Sequence, residues 1–178
     1  MLDKLIALLH IRGIQRKYVF FRVNCCLAGV KAFEKKRRLL NLLDGFEIGE
    51  GTKIVGPIES TAKLTVGKNC WIGKNFIING NGTVTIGDNC DIAPEVIFQT
   101  GGHETGDRNR RAGAELVFQQ TVGNGCWIGG RTTVLNNTTI GDSCIVAGCA
   151  CVTKDVPANT LVGGVPARKL RDLNDEHT

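Results

Sequence analysis

The chain has 178 residues, enough for one domain with a sizeable core, and its 42% apolar and 22% charged content is that of a soluble globular protein. Its 23 glycines do not recur every third residue, which excludes collagen, and its eight cysteines contain no Cys-x-x-Cys pair, which argues against a zinc ribbon. The net charge of +5 is uneven: residues 1–44 carry ten Lys/Arg against three Asp/Glu and the rest twelve against fourteen, so the body is close to neutral and is not expected to bind nucleic acid.

The N-terminal segment, residues 1–44, reads as helical and basic. Leu2, Leu5, Ile6 and Leu9 fall on one helical face, and "KAFEKKRRLLNLL" is a second helical candidate. "MLDKLIALLH" has an early acid and too short an apolar run for a signal peptide, and "YVFFRVNCCLAGV" is cut by Arg22 and Asn24, so no bilayer span is expected. These features lead us to expect a cytoplasmic protein with reduced thiols. The segment is expected to cap the repetitive body of the chain, with peripheral membrane contact through its basic face as the second reading.

From residue 45 to 166 an aliphatic residue returns every six positions. The series runs Val66, Ile72, Ile78, then Ile86, Ile92, Phe98, then Val122, Ile128, Val134, Ile140, Val146 and Val152. A two-residue insertion at "NGNG" separates Ile78 from Ile86, and Ile48 and Ile54 extend the series backwards. Six suits neither a helix nor plain strand alternation; it suits a triangular coil of about 18 residues, a parallel β-helix with its aliphatics inside. The fifth place of the hexad must also face inward and be small. It holds Cys70, Cys90, Cys126 and Cys144, whose thiols pack as small hydrophobes and are expected to stay free. Residues 48–165 amount to about six and a half coils by this period, a prism roughly 30 Å tall. Its flat faces call for oligomerisation.

Between residues 99 and 121 the pattern stops, yet Ile86 and Val122 remain two coil lengths apart. The polar stretch is expected to bulge from the scaffold as a loop, where binding residues concentrate. It contains His103, a candidate general base, with Glu104, Asp107 and Glu115 as candidates to orient it. Beyond Gly163, Gly164 and Pro166 the coil breaks, and residues 167–178 read as a short basic capping helix and tail.

Taken together, "TVTIGDNCDIAP", the histidine sixteen residues after Gly87, "GAEL", "GNGCWIGGR", "VTKDVPAN" and "VGGVPAR" resemble the hexapeptide-repeat acyltransferases. Within them the resemblance is to the maltose and galactoside O-acetyltransferases, and "HETGDRNRRAG" is similar to acetyltransferases of polysaccharide biosynthesis. The resemblance implies an all-β fold, a left-handed parallel β-helix; the spacing itself sets no hand. It implies transfer of acetyl from acetyl-CoA, without a metal, to a hydroxyl of a sugar or glycan precursor, at sites between the subunits of a homotrimer. It places the catalytic pair on His103 and Glu115, and the cofactor contacts on Trp127, Gly130, Gly148, Thr153, Lys154, Arg168 and Arg171. Where the galactoside enzymes carry an asparagine and an aspartate near the acceptor, this chain has Gly73 and Asn81, so acceptor identity does not carry across. Two other readings compete: a non-catalytic scaffold, and a metal hydrolase of the γ-carbonic anhydrase kind, which needs three histidines where the body supplies His103 alone.

Overall fold

The computed structural model describes residues 12–173. A helical N-terminal segment closes one end of a parallel β-solenoid. It consists of α1 (Arg12–Phe21), a π-helical turn (Arg22–Cys26) and α2 (Phe33–Leu40). The helix read from Leu2, Leu5, Ile6 and Leu9 lies outside the described residues. Among the described residues, no helix is long and apolar enough to cross a membrane.

The solenoid has three flat faces. The first stacks β1 (Phe46–Ile48), β4 (Lys63–Val66), β7 (Thr83–Ile86), β12 (Gln119–Val122) and β15 (Thr139–Ile140), extended by a bridge from Ile140 to Val156. The second stacks β2 (Lys53–Ile54), β5 (Trp71–Ile72), β8 (Asp91–Ile92), β13 (Trp127–Ile128), β16 (Ile145–Val146) and β18 (Thr160–Gly163). The third stacks β3 (Ile58–Ser60), β6 (Phe76–Asn79), β9 (Ile97–Gln99), β14 (Thr133–Val134) and β17 (Cys151–Val152). Every aliphatic of the hexad series is buried in the prism. At the corners there is no room for side chains: a Cβ on Gly67 would stand 2.6 Å from the Gly87 carbonyl carbon.

The prism is one coil shorter than the period implied. Val122 pairs directly with Ile86, so the 36 residues between them form one coil plus an excursion. The excursion is as long as one coil, so the six-residue count passes over it unchanged. Six rungs on the longest face make the prism about 25 Å tall.

The fifth hexad place is a column of hydrogen-bond donors. Thr52 Oγ1 donates to Gly67 O at 2.6 Å, and above it Cys70 donates to Gly87 O at 3.1 Å, Cys90 to Gly123 O at 3.0 Å, Cys126 to Gly141 O at 3.1 Å and Cys144 to Pro157 O at 3.0 Å. Each satisfies a corner carbonyl that the ladder leaves over, a polar role beyond the apolar packing read from the sequence. All eight cysteines are free. The hydrogen bond with Cys126, with burial behind it, pushes the Cys90 thiol up to about 11.

The cap seals one face at a time. Asn41 exchanges two hydrogen bonds with Ile48 at the end of the first face, and Asn24 exchanges two with Ile58 at the end of the third. On the second face Lys36, fully buried, spends its three donors on Gly29 O at 2.6 Å, Ile54 O at 2.8 Å and Val55 O at 2.8 Å. Its burial, with nearby Lys31 adding repulsion, lowers its pKa. An open sheet edge would otherwise expose these strand groups to pairing with other chains.

The other end departs from the expected capping helix. After a reversal at Gly164–Ala167 the chain returns as β19 (Arg168–Asp172), antiparallel to β18. The last rung has unpaired backbone groups along its edge, and a returning strand satisfies them where a helix would not.

Candidate functional site

The excursion is a β-hairpin, β10 (Gly101–Thr105) and β11 (Ala112–Val117), rooted where the third face turns into the first. Its foot is built into the stack. Thr100, fully buried, donates from N to Asn79 O at 2.7 Å and from Oγ1 to the same oxygen at 2.8 Å, and its Oγ1 accepts from Gly82 N at 3.1 Å. Phe118 N donates to Thr100 O at 2.8 Å, which closes the foot. Gln120 locks the exit strand from inside, its Nε2 reaching Gln99 O, Val134 O and Asn136 O at 3.0–3.1 Å. The "NGNG" insertion receives the hairpin. A Cβ on Gly80 would stand 2.5 Å from Gly101 N, and one on Gly82 1.9 Å from Phe118 O. The tip is tightened by Asp107, whose Oδ1 accepts from Asn109 N at 2.8 Å and Arg110 N at 3.1 Å.

His103 and Glu115 are direct partners across the hairpin ladder, which puts both side chains on one face. His103 Nδ1 lies 3.1 Å from Gly113 O. A carbonyl only accepts, so Nδ1 carries the hydrogen and, in the neutral ring, Nε2 keeps its lone pair. The orienting group is thus a backbone carbonyl of the opposite strand. Glu104, Asp107 and Glu115 are the sequence candidates for that task; the carbonyl comes from the opposite strand, where the hairpin register shifts between His103 and Thr105. His103, Glu115, Asn81, Gly80, Gly102 and Leu116 line an open depression of about 250 Å³.

The expected cofactor residues fall into separate groups. Lys154 and Arg168 line one depression of about 290 Å³ beside Val162 and Ala167. Lys154 follows β17 at the same prism edge as the hairpin, two rungs on, or about 10 Å along the axis. Thr153 precedes it, its carbonyl accepting from Asn136 Nδ2 at 3.2 Å. Gly130 and Gly148 stack at a different edge, where the second face turns into the third: Cys149 N donates to Gly130 O at 2.8 Å, and a Cβ on Gly148 would stand 3.2 Å from that oxygen. The backbone there is bare and open to close approach. Trp127 stands on the second face, 55% exposed. Trp71, two rungs below on the same column, is covered by Phe33 edge-on, so Trp127 is the uncovered one. Arg171 lies exposed on β19 opposite Leu161 and does not line the Lys154 depression.

One chain therefore brings His103 to Glu115, Lys154 to Arg168 and Gly130 to Gly148, but leaves these pairs on two different edges. Sequence reasoning does not single out Gly113, Gly82 or Thr100. "NGNG" is the available signal for the foot, and by itself it reads only as a turn. Among the described residues, no group of three or more His, Cys, Asp or Glu side chains is placed to hold a metal ion.

Residues 121–154, the rungs directly after the hairpin, match the family model described as bacterial transferase hexapeptide (six repeats). The galactoside O-acetyltransferase of Escherichia coli (strain K12) is 39% identical over 124 residues, 66% of this chain and 61% of that protein. The chain spans 61% of that curated relative's length and about a third of the next two, putative acetyltransferases of Staphylococcus haemolyticus and Schizosaccharomyces pombe. Among solved structures, a hexapeptide-repeat acetyltransferase of Vibrio cholerae complexed with acetyl coenzyme A superposes with a TM-score of 0.79 at 30% identity, covering 92% of this chain and 87% of that one. A galactoside acetyltransferase in complex with coenzyme A superposes with a TM-score of 0.68 at 33% identity, covering 92% and 81%.

Proposed function

We infer that this chain, which belongs to the hexapeptide-repeat transferase family, is an acetyltransferase that moves acetyl from acetyl-CoA to a hydroxyl of a sugar or glycan precursor. The observation that carries the reading is the imidazole of His103, exposed in its depression and held through Nδ1 by Gly113 O so that Nε2 is the free basic atom.

An alcohol is a weak nucleophile at neutral pH. His103 Nε2 takes the hydroxyl proton as oxygen attacks the thioester carbon, the C–S bond breaks, and the proton passes to the departing thiolate. General-base help of this kind contributes ~10²–10⁴ in rate. Glu115, opposite on the ladder, stabilises the imidazolium while it holds the proton. Asn81, in the same depression, offers an amide to the acceptor. The donor fits what the chain presents elsewhere. Lys154 and Arg168, side by side, suit phosphates, Arg with its bidentate fork. The bare backbone at Gly130 and Gly148 suits an extended thiol arm and supplies N–H groups to the developing oxyanion. Trp127 offers an uncovered flat face.

These groups sit on two edges of one prism, so a site made from both needs two chains. A homotrimer in which each hairpin meets its neighbour's glycine edge unites them, with left-handed coils as in the resembled enzymes. The test is release of CoA thiol from acetyl-CoA across a panel of hydroxyl acceptors, monosaccharides and glycan precursors. Acceptor-dependent release supports the reading; acetyl-CoA binding without release to any hydroxyl class points to a scaffold.

A further inference from the structure

The outer face of the N-terminal cap has no part in that chemistry, and its composition is unlike the rest of the surface. On α1, Val19 is fully buried against the prism and Arg16 and Phe20 pack toward it, with Arg16 over the rings of Phe20 and Phe46. The opposite sector of the helix holds Gly13, Ile14, Lys17 and Phe21, all exposed. Ile14 is 56% and Phe21 57% exposed, and Val30 in the following loop is 69% exposed. Large apolar side chains left in water on one helix face are a recognised mark of an interaction surface. Lys17 sits between Ile14 and Phe21 along α1, and Lys31, Lys35 and Arg38, in the loop and helix that follow, are exposed as well. The single acid of α2, Glu34, is already engaged by Arg37 and Arg38 at 2.7 and 3.0 Å. Positive charge is concentrated here while the rest of the chain carries a slight negative balance.

We propose that this cap docks the protein peripherally on an anionic lipid bilayer, with Ile14, Phe21 and Val30 entering the interface and Lys17, Lys31, Lys35 and Arg38 meeting the headgroups. Charge complementarity selects an anionic partner, and the apolar side chains select lipid over nucleic acid, whose phosphates give isoleucine and phenylalanine nothing to bury against. Long basic side chains suit the geometry, since their stems lie along the apolar boundary with the charge outward. A helix lying in the plane, with no membrane-crossing segment among the described residues, fits reversible attachment.

The experiment is co-sedimentation of the full chain with vesicles of phosphatidylcholine alone and of phosphatidylcholine mixed with phosphatidylglycerol, at low and high salt. Binding to the mixed vesicles, weakened by salt and absent from the neutral ones, is expected. Ile14→Glu with Phe21→Glu should weaken it by at least tenfold, and Lys35→Glu by roughly fivefold or more. Both substitutions are on exposed positions, so the thermal midpoint and acetyl transfer to a soluble acceptor should be unchanged, which separates this proposal from the one about the catalytic site. No binding to the anionic vesicles, or undiminished binding by the Ile14→Glu/Phe21→Glu protein, overturns it. So does a change of oligomeric state in that variant, which would make the patch a contact between copies, or tight duplex DNA binding that survives the two substitutions.

Discussion

The position of the hairpin depends on one missing side chain. In Gly82→Ala the new Cβ would lie 1.9 Å from Phe118 O and 2.8 Å from Thr100 Cβ. A carbon–oxygen contact below about 3 Å is not sustained, so Phe118 must retreat by at least about 1 Å. Phe118 N closes the hairpin foot on Thr100, and Phe118 O accepts from Thr83 N at 3.2 Å, so the retreat loosens both the hairpin and the rung beneath. Steric insertion of this kind costs ~1–3 kcal/mol, which at about 2–4 °C per kcal/mol for a chain of this size lowers Tm by roughly 2–12 °C. The larger effect falls on the chemistry. Displacing a catalytic group by ~1 Å can cost ~10² in rate, and the strand that leads into Phe118 carries Gly113 and Glu115, the partners of His103. Gly101→Ala is the control: its Cβ would meet Gly80 Cα at 3.3 Å and then nothing nearer than 3.9 Å, so kcat should fall less than about threefold. Steady-state kinetics and thermal melts on the two variants decide. Full turnover by Gly82→Ala, or equal losses in both, refutes the claim that the hairpin foot positions the base.

Cys126→Val removes the donor to Gly141 O, so it should cost ~1–3 kcal/mol in urea unfolding, whereas Cys126→Thr, which has the shape of valine but keeps a donor as Thr52 does, should cost under ~1 kcal/mol. Equal costs would show that the column is apolar packing alone. The Cys90 thiol is held protonated up to about 11 when folded, against ~8.5 unfolded. The unfolded chain therefore loses its proton first, and stability should fall as pH rises from ~8.5 to about 11; urea midpoints against pH for wild type and Cys90→Thr check whether the slope diminishes. Lys154→Ala should raise KM for acetyl-CoA with kcat little changed, because a phosphate contact is remote from the reacting carbon and equal in ground and transition states. A collapse of kcat alone would give Lys154 a chemical role.

Much of the prism was legible because its information is periodic. Val66 to Val152 recur at hexad spacing and all lie inside, and the fifth place, from Cys70 to Cys144, faces inward as its small size required. The coil count misled because the hairpin happens to match one coil in length, and a period cannot register an excursion of its own size. The cap's closure by Asn24, Lys36 and Asn41 was invisible for the opposite reason: each is a single polar side chain meeting two or three backbone groups, with no repeat to announce it. "RKLRD" became a strand because an open sheet edge lay beside it, a tertiary demand that local pattern does not carry. His103 stands out in the sequence as a lone histidine in the stretch where the repeat fails, and the structure places it on the hairpin. What orients it could not be found, since the Gly113 carbonyl is backbone and has no residue signature.

The most direct test of the account is the turnover of His103→Ala with acetyl-CoA and a hydroxyl acceptor. The account predicts that kcat falls by ~10²–10⁴, that KM for acetyl-CoA and the thermal midpoint stay near wild type because the residue lies on the hairpin outside the buried column, and that no acetylated cysteine forms in wild type mixed with acetyl-CoA alone. Near-normal turnover by His103→Ala, or an acetyl-cysteine that turnover requires, would contradict it.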